Sequence, residues 1–253
     1  MTKITIGAYW QKRTITLREF ADELKKHILQ LTKPPFDFSN ISMVGNTPNS
    51  DIKLDNNLSN LDDLVYRYAW DSELIYENAN PDGTPSWLSS SSLGFMLDFT
   101  CTAPRSDTRI QFGVSAGINS GEINNSAIVK IQCPEPSEGN PLIHYDHVKK
   151  ILLQLLVFWK PDFGKIRSGP FEDAFVPDGF TDIGWLTYIK NSNASAMRNN
   201  HDLIAAGIEM EPVSIGGSLF TIDREMVSPD NETHVARAKL LRAKLMEYRL
   251  IES

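Results

Sequence analysis

The stretch His144-Tyr-Asp-His-Val-Lys-Lys-Ile-Leu-Leu-Gln-Leu-Leu-Val-Phe-Trp-Lys160 decides the fold class. Val148, Ile151, Leu152, Leu155, Phe158 and Trp159 recur at helical spacing, and Leu153, Leu156 and Val157 fill most of the remaining positions. A helix that is apolar nearly all round is a buried helix. The run falls short of the roughly 20 apolar residues that a bilayer requires, and Lys149, Lys150 and Lys160 bound it. The spacing therefore predicts a central core helix over about 144–160, ended by Pro161, with strands to either side of it in sequence.

Toward the N-terminus, Ile4, Ile6 and Ala8 alternate with Thr5 and Tyr9 in a strand over 3–10. Thr16 and Glu19 form a capping box, with Ile15 and Phe20 at the staple positions, and Leu17, Phe20, Leu24, Ile28 and Leu31 make the buried stripe of a helix. Pro34 and Pro35 end it. A strand over 37–44 precedes an Asn/Asp/Ser-rich loop reaching about residue 60. Leu61, Leu64, Val65 and Tyr68 mark a second helix with an acidic face, and residues 78–92 form a long loop carrying Trp87. Strands over 93–101, 109–116 and 127–133 are separated by turn residues, as in an antiparallel meander.

Beyond the central helix, short strands fall near 163–167, 184–189, 208–212 and 218–222. Ser228-Pro229 has the form of an N-cap and first-turn pair, opening a C-terminal helix with Val235, Ala238, Leu241, Leu245 and Tyr248 in one stripe. The sum is an α+β fold with a mixed, mainly antiparallel sheet around the central helix. The 253 residues suit one domain, with subdomains 1–140 and 141–253 divided at the Pro- and Glu-rich segment 134–141.

A chain that is 41% hydrophobic and 23% charged can bury a core. Its net charge of −7 disfavours direct binding to nucleic acid or to an anionic membrane. Two isolated cysteines, Cys101 and Cys133, suit a reducing compartment, and Met1–Gly7 has no apolar region of signal-peptide length. The expected location is the cytoplasm.

Catalytic constellations are sparse. His144 and His147, with Asp146 between them, could hold a metal, or they could sit in a polar helix start that Asp146 stabilises. The ligand count favours the second reading, so no cofactor is expected. Cys101 and Cys133 lie in apolar strands and read as buried thiols rather than nucleophiles. Gly216-Gly217 lacks the Lys and Ser/Thr of a phosphate loop and reads as a turn. The residues point away from an enzyme. The alternative is a small-ligand- or metal-binding domain, or an enzyme, built on His144 and His147.

Charge is unevenly spread. Residues 37–82 hold nine acids against Lys53 and Arg67, a segment charge of −7, while residues 1–33 carry +4. Such a segment is either a solvated face or a surface that docks a basic partner. Under the second reading the binding residues are Asp51, Asp55, Asp62, Asp63, Asp71, Glu73 and Glu77, with Trp87 as an aromatic anchor or a core plug.

Two motifs resemble a known family. Tyr9-Trp10-Gln11-Lys12-Arg13 before a capped helix is similar to the opening Tyr-Trp-x-x-Arg of the immunity protein 52 family, and Asp182-Ile183-Gly184-Trp185-Leu186-Thr187-Tyr188 resembles its Gly-Trp-x-x-Tyr element. The likeness covers most of residues 3–225. It implies an α+β antidote acting in the cytoplasm on a polymorphic or type VI secreted toxin, typically a restriction-endonuclease-like nuclease, by stoichiometric occlusion. Tyr9, Trp10, Arg13, Gly184, Trp185 and Tyr188 are expected to serve the fold.

Overall fold

The computed structural model describes residues 2–34, 36–45, 47, 50–103, 108–120, 124–133, 141–171 and 183–251. Pro35, Asp182 and most of the 134–141 segment lie outside them. The architecture is α+β, and the chain forms two compact units. One comprises residues 9–129, and the other residues 1–8 with 130–253. These units meet in sequence at 129/130, and the first eight residues belong with residues 130–253.

The 9–129 unit holds α1 (Leu17–Leu31), β2 (Ser39–Met43), β3 (Ile52–Lys53), α2 (Leu61–Tyr68), β4 (Leu93–Thr102), β5 (Arg109–Ile118) and the first part of β6 (Asn125–Cys133). Its strands lie in the order β3-β2-β4-β5-β6, and β3 and β4 both pair antiparallel to β2, as β5 does to β4. The two-residue β3 falls within the segment that reads as loop. Period-two burial sets the core face: Phe95, Leu97, Phe99 and Cys101 of β4 turn inward with Ile110, Phe112, Val114 and Ala116 of β5. Phe99 and Phe112 are register partners, and their rings stack with centroids 4.8 Å apart. Helix α1 covers this face, with Phe20 against Phe95 at 5.8 Å and the His27 ring edge-on to Phe112 at 6.1 Å.

The start of α1 accounts for every orphan donor of a helix N-terminus. Thr16 and Glu19 form the reciprocal capping box, and the Phe20 N–H donates to the Thr16 carbonyl. The Leu17 and Arg18 N–H groups donate to the carbonyls of Ser89 and Trp87 at 2.9 and 3.1 Å. The long loop is therefore fastened to the helix by backbone.

The other unit holds most of β1 (Thr2–Trp10), the end of β6, α3 (Tyr145–Trp159), β7 (Phe163–Ser168), β8 (Leu186–Ile189), α4 (His201–Ala205), β9 (Glu209–Pro212), β10 (Ser218–Thr221) and α5 (Glu232–Glu247). The strand order β1-β7-β8-β10-β9 includes antiparallel pairs β7/β8, β8/β10 and β10/β9. In α3, Val148, Ile151, Leu152, Leu155, Leu156 and Trp159 are buried, whereas Val157 is 49% exposed and Leu153 and Phe158 are half-buried. One flank of the core helix thus reaches solvent. A Cβ at Gly164 would lie 2.8 Å from Leu156, so glycine lets α3 settle directly on β7. Lys160 closes the helix in the left-handed conformation, φ 48°.

Helix α5 starts later than Ser228-Pro229 suggests. Its N-cap is Asn231, whose side chain accepts the Thr233 and His234 N–H groups, while residues 228–231 form a turn closed by the Asn231 N–H on the Ser228 carbonyl. Ala238, Leu241 and Leu245 are buried as the stripe requires, joined by His234, while Val235 and Tyr248 are only half-buried.

Candidate functional site

The two family motifs are built into the fold. Trp10, at the end of β1, is buried; Arg13 pairs with Glu23 and donates its N–H to the Ile118 carbonyl at 3.1 Å. Tyr9 is half-buried. At the second motif, a Cβ on Gly184 would lie 2.3 Å from the Ile166 carbonyl oxygen, a backbone clash that only glycine avoids. Trp185 then donates its N–H to that same carbonyl at 2.7 Å and its ring Nε1–H to the Asp223 carbonyl at 2.8 Å. Tyr188 is fully buried, and its hydroxyl donates to the Gly216 carbonyl at 3.0 Å. Burial, with the Asp162 carboxylate adding to it, pushes the Tyr188 hydroxyl up to about 12, so it stays a donor. Gly216 and Gly217 both have positive φ and turn the chain from β9 into β10.

The candidate enzymatic residues have different local settings. His144 is the exposed N-cap residue of α3, with no side-chain capping bond. His147 is half-buried, and its pKa is lowered by burial and then by the Lys150 cation. Among the described residues, no group of three or more His, Cys, Asp or Glu is placed to hold a metal. Cys101 and Cys133 are buried thiols, and burial pushes Cys101 up to about 12, far from a thiolate at neutral pH. The polar cluster around Asp223 is structural in its geometry. Arg237 donates to the Asp223 carboxylate and to the Ala206 and Ile222 carbonyls, and His234 Nδ1 accepts the Ser228 N–H. Burial would raise the Asp223 carboxyl, but the Glu225 N–H, Arg237 and His234 together hold it below its ordinary value.

The acidic residues divide into two groups. Asp62 pairs with Arg18 at 2.8 Å and Asp63 with Arg67 at 2.8 Å, so each carries a local counter-charge. Asp51, Asp55, Asp71, Glu73 and Glu77 are exposed, and among the described residues no ion pair joins any of them to a cation. Trp87 is half-buried: the Arg18 guanidinium lies 3.8 Å from its ring centroid, and the Tyr66 ring is 5.3 Å away. Arg18 thus joins Asp62 to Trp87, a link invisible in a count of acids.

Exposed apolar residues occur in the same stretch of chain. Ile75 is 92% exposed, Leu88 69% and Met96 59%. Met96 was legible as an outward position of β4, since it alternates with the buried Phe95 and Leu97. Ile75 carries no such signal.

This chain belongs to the immunity protein 52 family, whose sequence pattern matches residues 99–253, more than half its length. Its function is therefore of the immunity type, and the matched part includes the Gly184-Trp185 motif. No curated protein matches the chain. A Pseudomonas aeruginosa T6SS protein of known structure is 11% identical, with a TM-score of 0.48 over 99% of this chain and 77% of that one. No helix among the described residues is long and apolar enough to cross a membrane.

Proposed function

We propose that this immunity protein neutralises a cognate secreted toxin in the cytoplasm by stoichiometric binding, and that the toxin is a nuclease of a polymorphic or type VI system. The observation that carries the reading is the exposed acidic set Asp51, Asp55, Asp71, Glu73 and Glu77, which has no counter-ion among the described residues. A nuclease cleft that binds phosphates is basic. Acids facing solvent without a local cation are attracted to such a cleft and speed encounter with it. Occlusion then requires only binding, in keeping with an immunity family.

The test uses a candidate toxin domain sought among the genes neighbouring this one. Adding the purified immunity protein should abolish nucleic-acid cleavage at an equimolar ratio, with a 1:1 complex in size-exclusion chromatography. Cleavage that continues at molar excess, or inhibition that needs only catalytic amounts, overturns the reading.

A further inference from the structure

The acidic surface also carries an apolar anchor on a loop whose shape is fixed. Residues 71–76 leave the end of α2 and return under the control of Tyr76. The Tyr76 hydroxyl accepts the Asp71 N–H at 2.9 Å and donates to the Asp71 carbonyl at 3.1 Å. The Asp71 carboxylate accepts the Glu73 N–H at 2.9 Å, and the Leu74 N–H donates to the Asp71 carbonyl at 3.2 Å. Tyr76 itself is buried, with its ring stacked on Phe95 at 6.2 Å and against Trp70 at 6.0 Å. Next, Glu77 and Ser90 exchange backbone hydrogen bonds, and the Met96 N–H donates to the Ala69 carbonyl. These bonds tie four pieces into one region: the end of α2, the 71–77 loop, the 84–92 loop and the start of β4.

That region shows solvent Tyr68, Ile75, Leu88, Leu93 and Met96. A single exposed aliphatic residue is ordinary. Five large apolar residues within residues 68–96 are a concentration; the segment itself is acidic, and the Arg18 guanidinium of α1 stacks on its Trp87. The segment contains Asp71, Glu73, Glu77 and Asp82 and no Lys or Arg. Binding hot spots have this form, a rigid apolar anchor ringed by polar groups, because an anchor held in place loses little freedom on docking.

We infer that Ile75, presented by the Tyr76-locked loop in the same fastened region as the exposed Leu88 and Met96, inserts into an apolar recess of the toxin whose rim is basic, while Glu73 and Glu77 face that rim. The inference rests on the proposed toxin-binding function and divides the labour within it. The acids set the rate of association, and Ile75 sets the lifetime of the complex.

The experiment measures association and dissociation of that toxin domain, inactivated, with wild type, Ile75→Asp, Leu88→Ser and Tyr76→Phe. Ile75 and Leu88 are exposed, so their variants should melt as wild type does. Ile75→Asp should dissociate at least about tenfold faster, with association changed less than about threefold. Leu88→Ser should shift dissociation in the same direction. Tyr76→Phe, which frees the loop but keeps Ile75, should also shorten the complex lifetime. Wild-type dissociation rates for both Ile75→Asp and Leu88→Ser overturn this inference and leave the proposed function standing. A wild-type protein that does not bind the toxin overturns both. A wild-type dimer that Ile75→Asp converts to monomer assigns the surface to a second copy of this chain and also overturns the inference.

Discussion

Trp185 and Asp223 are joined ring to backbone. The indole Nε1–H donates to the Asp223 carbonyl at 2.8 Å, while the Ile222 N–H next to it donates to the Trp185 carbonyl at 3.1 Å. The Asp223 carboxylate holds Arg237 of α5, so one residue receives both the motif tryptophan and the C-terminal helix. The second family motif thus sits where β8, the end of β10 and α5 converge. Trp185→Ala should cost about 3–5 kcal/mol, the usual cost of emptying a buried aromatic site. Trp185→Phe, which keeps most of the ring volume but strands the Asp223 carbonyl, should cost less, at least about 1 kcal/mol. Chemical denaturation measures both. A wild-type midpoint for Trp185→Ala together with lost toxin binding would make Trp185 a contact residue instead.

Gly184→Ala places a methyl group 2.3 Å from the Ile166 carbonyl oxygen. The obstacle is backbone of the neighbouring strand, which cannot swing aside as a side chain would. The Trp185 N–H bond to that carbonyl must stretch in response. Overpacking of this kind costs about 1–3 kcal/mol. Gly169, where a Cβ would meet no atom of the described residues within 4 Å, is the control, and Gly169→Ala should leave the denaturation midpoint nearly unchanged. Equal midpoints for the two variants would refute the steric account.

These positions also show what could be read from sequence. The Thr16/Glu19 box, the α1 stripe and the alternation of β4 are local periodic signals, and burial followed them closely. Strand β3 is two residues long, too short for any period to register, and α4 has five residues with one buried side chain, Leu203. Ser228-Pro229 and Asn231 are competing caps three residues apart, and the choice depends on His234 reaching back to the Ser228 N–H. At the candidate site, the charge of residues 37–82 was plain, but its distribution was not. Arg18 lies 44 residues from Asp62, and only the fold brings them together. Ile75 is β-branched and apolar, which in sequence argues for burial. Its exposure follows from Tyr76 taking the inward position beside it.

His27 is buried in α1 against Phe112, and burial lowers its pKa from 6.5 to about 3. The folded protein therefore holds it neutral, while the unfolded chain accepts a proton below about 6.5. Stability from this residue is fully present above pH 6.5 and is lost as pH falls toward 3, by at most roughly 1.4 kcal/mol per pH unit. Urea denaturation from pH 7.5 to 4.5 should show this loss, and His27→Leu should flatten the curve over that window. Parallel curves for the two proteins would show that other groups govern the acid limb.

Arg18 stacks on Trp87 while pairing with Asp62, and its neighbours are held by backbone bonds from α1 to the 87–89 loop. Arg18→Lys keeps the charge and loses the planar stack. Both contacts are partly solvated, so the expected cost is only about 0.5–1 kcal/mol. The quenching of Trp87 fluorescence by acrylamide should rise in the variant, read against a background lacking the other tryptophan signals. Unchanged quenching would mean that Tyr66 alone holds the ring.

Charge steering has a pattern that the structure makes specific. Asp51, Glu73 and Glu77 are exposed acids without a cationic partner among the described residues, whereas Asp62 and Asp63 are each matched by an arginine at 2.8 Å. Long-range attraction depends on net local charge, so the first three should dominate the field met by a basic toxin cleft. Reversing all three to Lys should slow toxin association at least about tenfold at low ionic strength, with a smaller effect near 0.5 M salt, where the screening length falls to a few ångströms. Neutralising Asp62 and Asp63 to Asn removes two acids but uncovers Arg18 and Arg67, and Asp62→Asn also gives up a contact that supports Trp87. Association should slow in that variant too, by an amount set by the two units of negative charge removed, against six for the triple reversal. Folding should change little in the triple Lys variant, since exposed charges contribute little to stability. Stopped-flow association at two salt concentrations, with a thermal melt of each variant, makes the comparison. A triple variant that associates at the wild-type rate at low salt would mean that the acidic segment is a solvated face and that the toxin docks elsewhere.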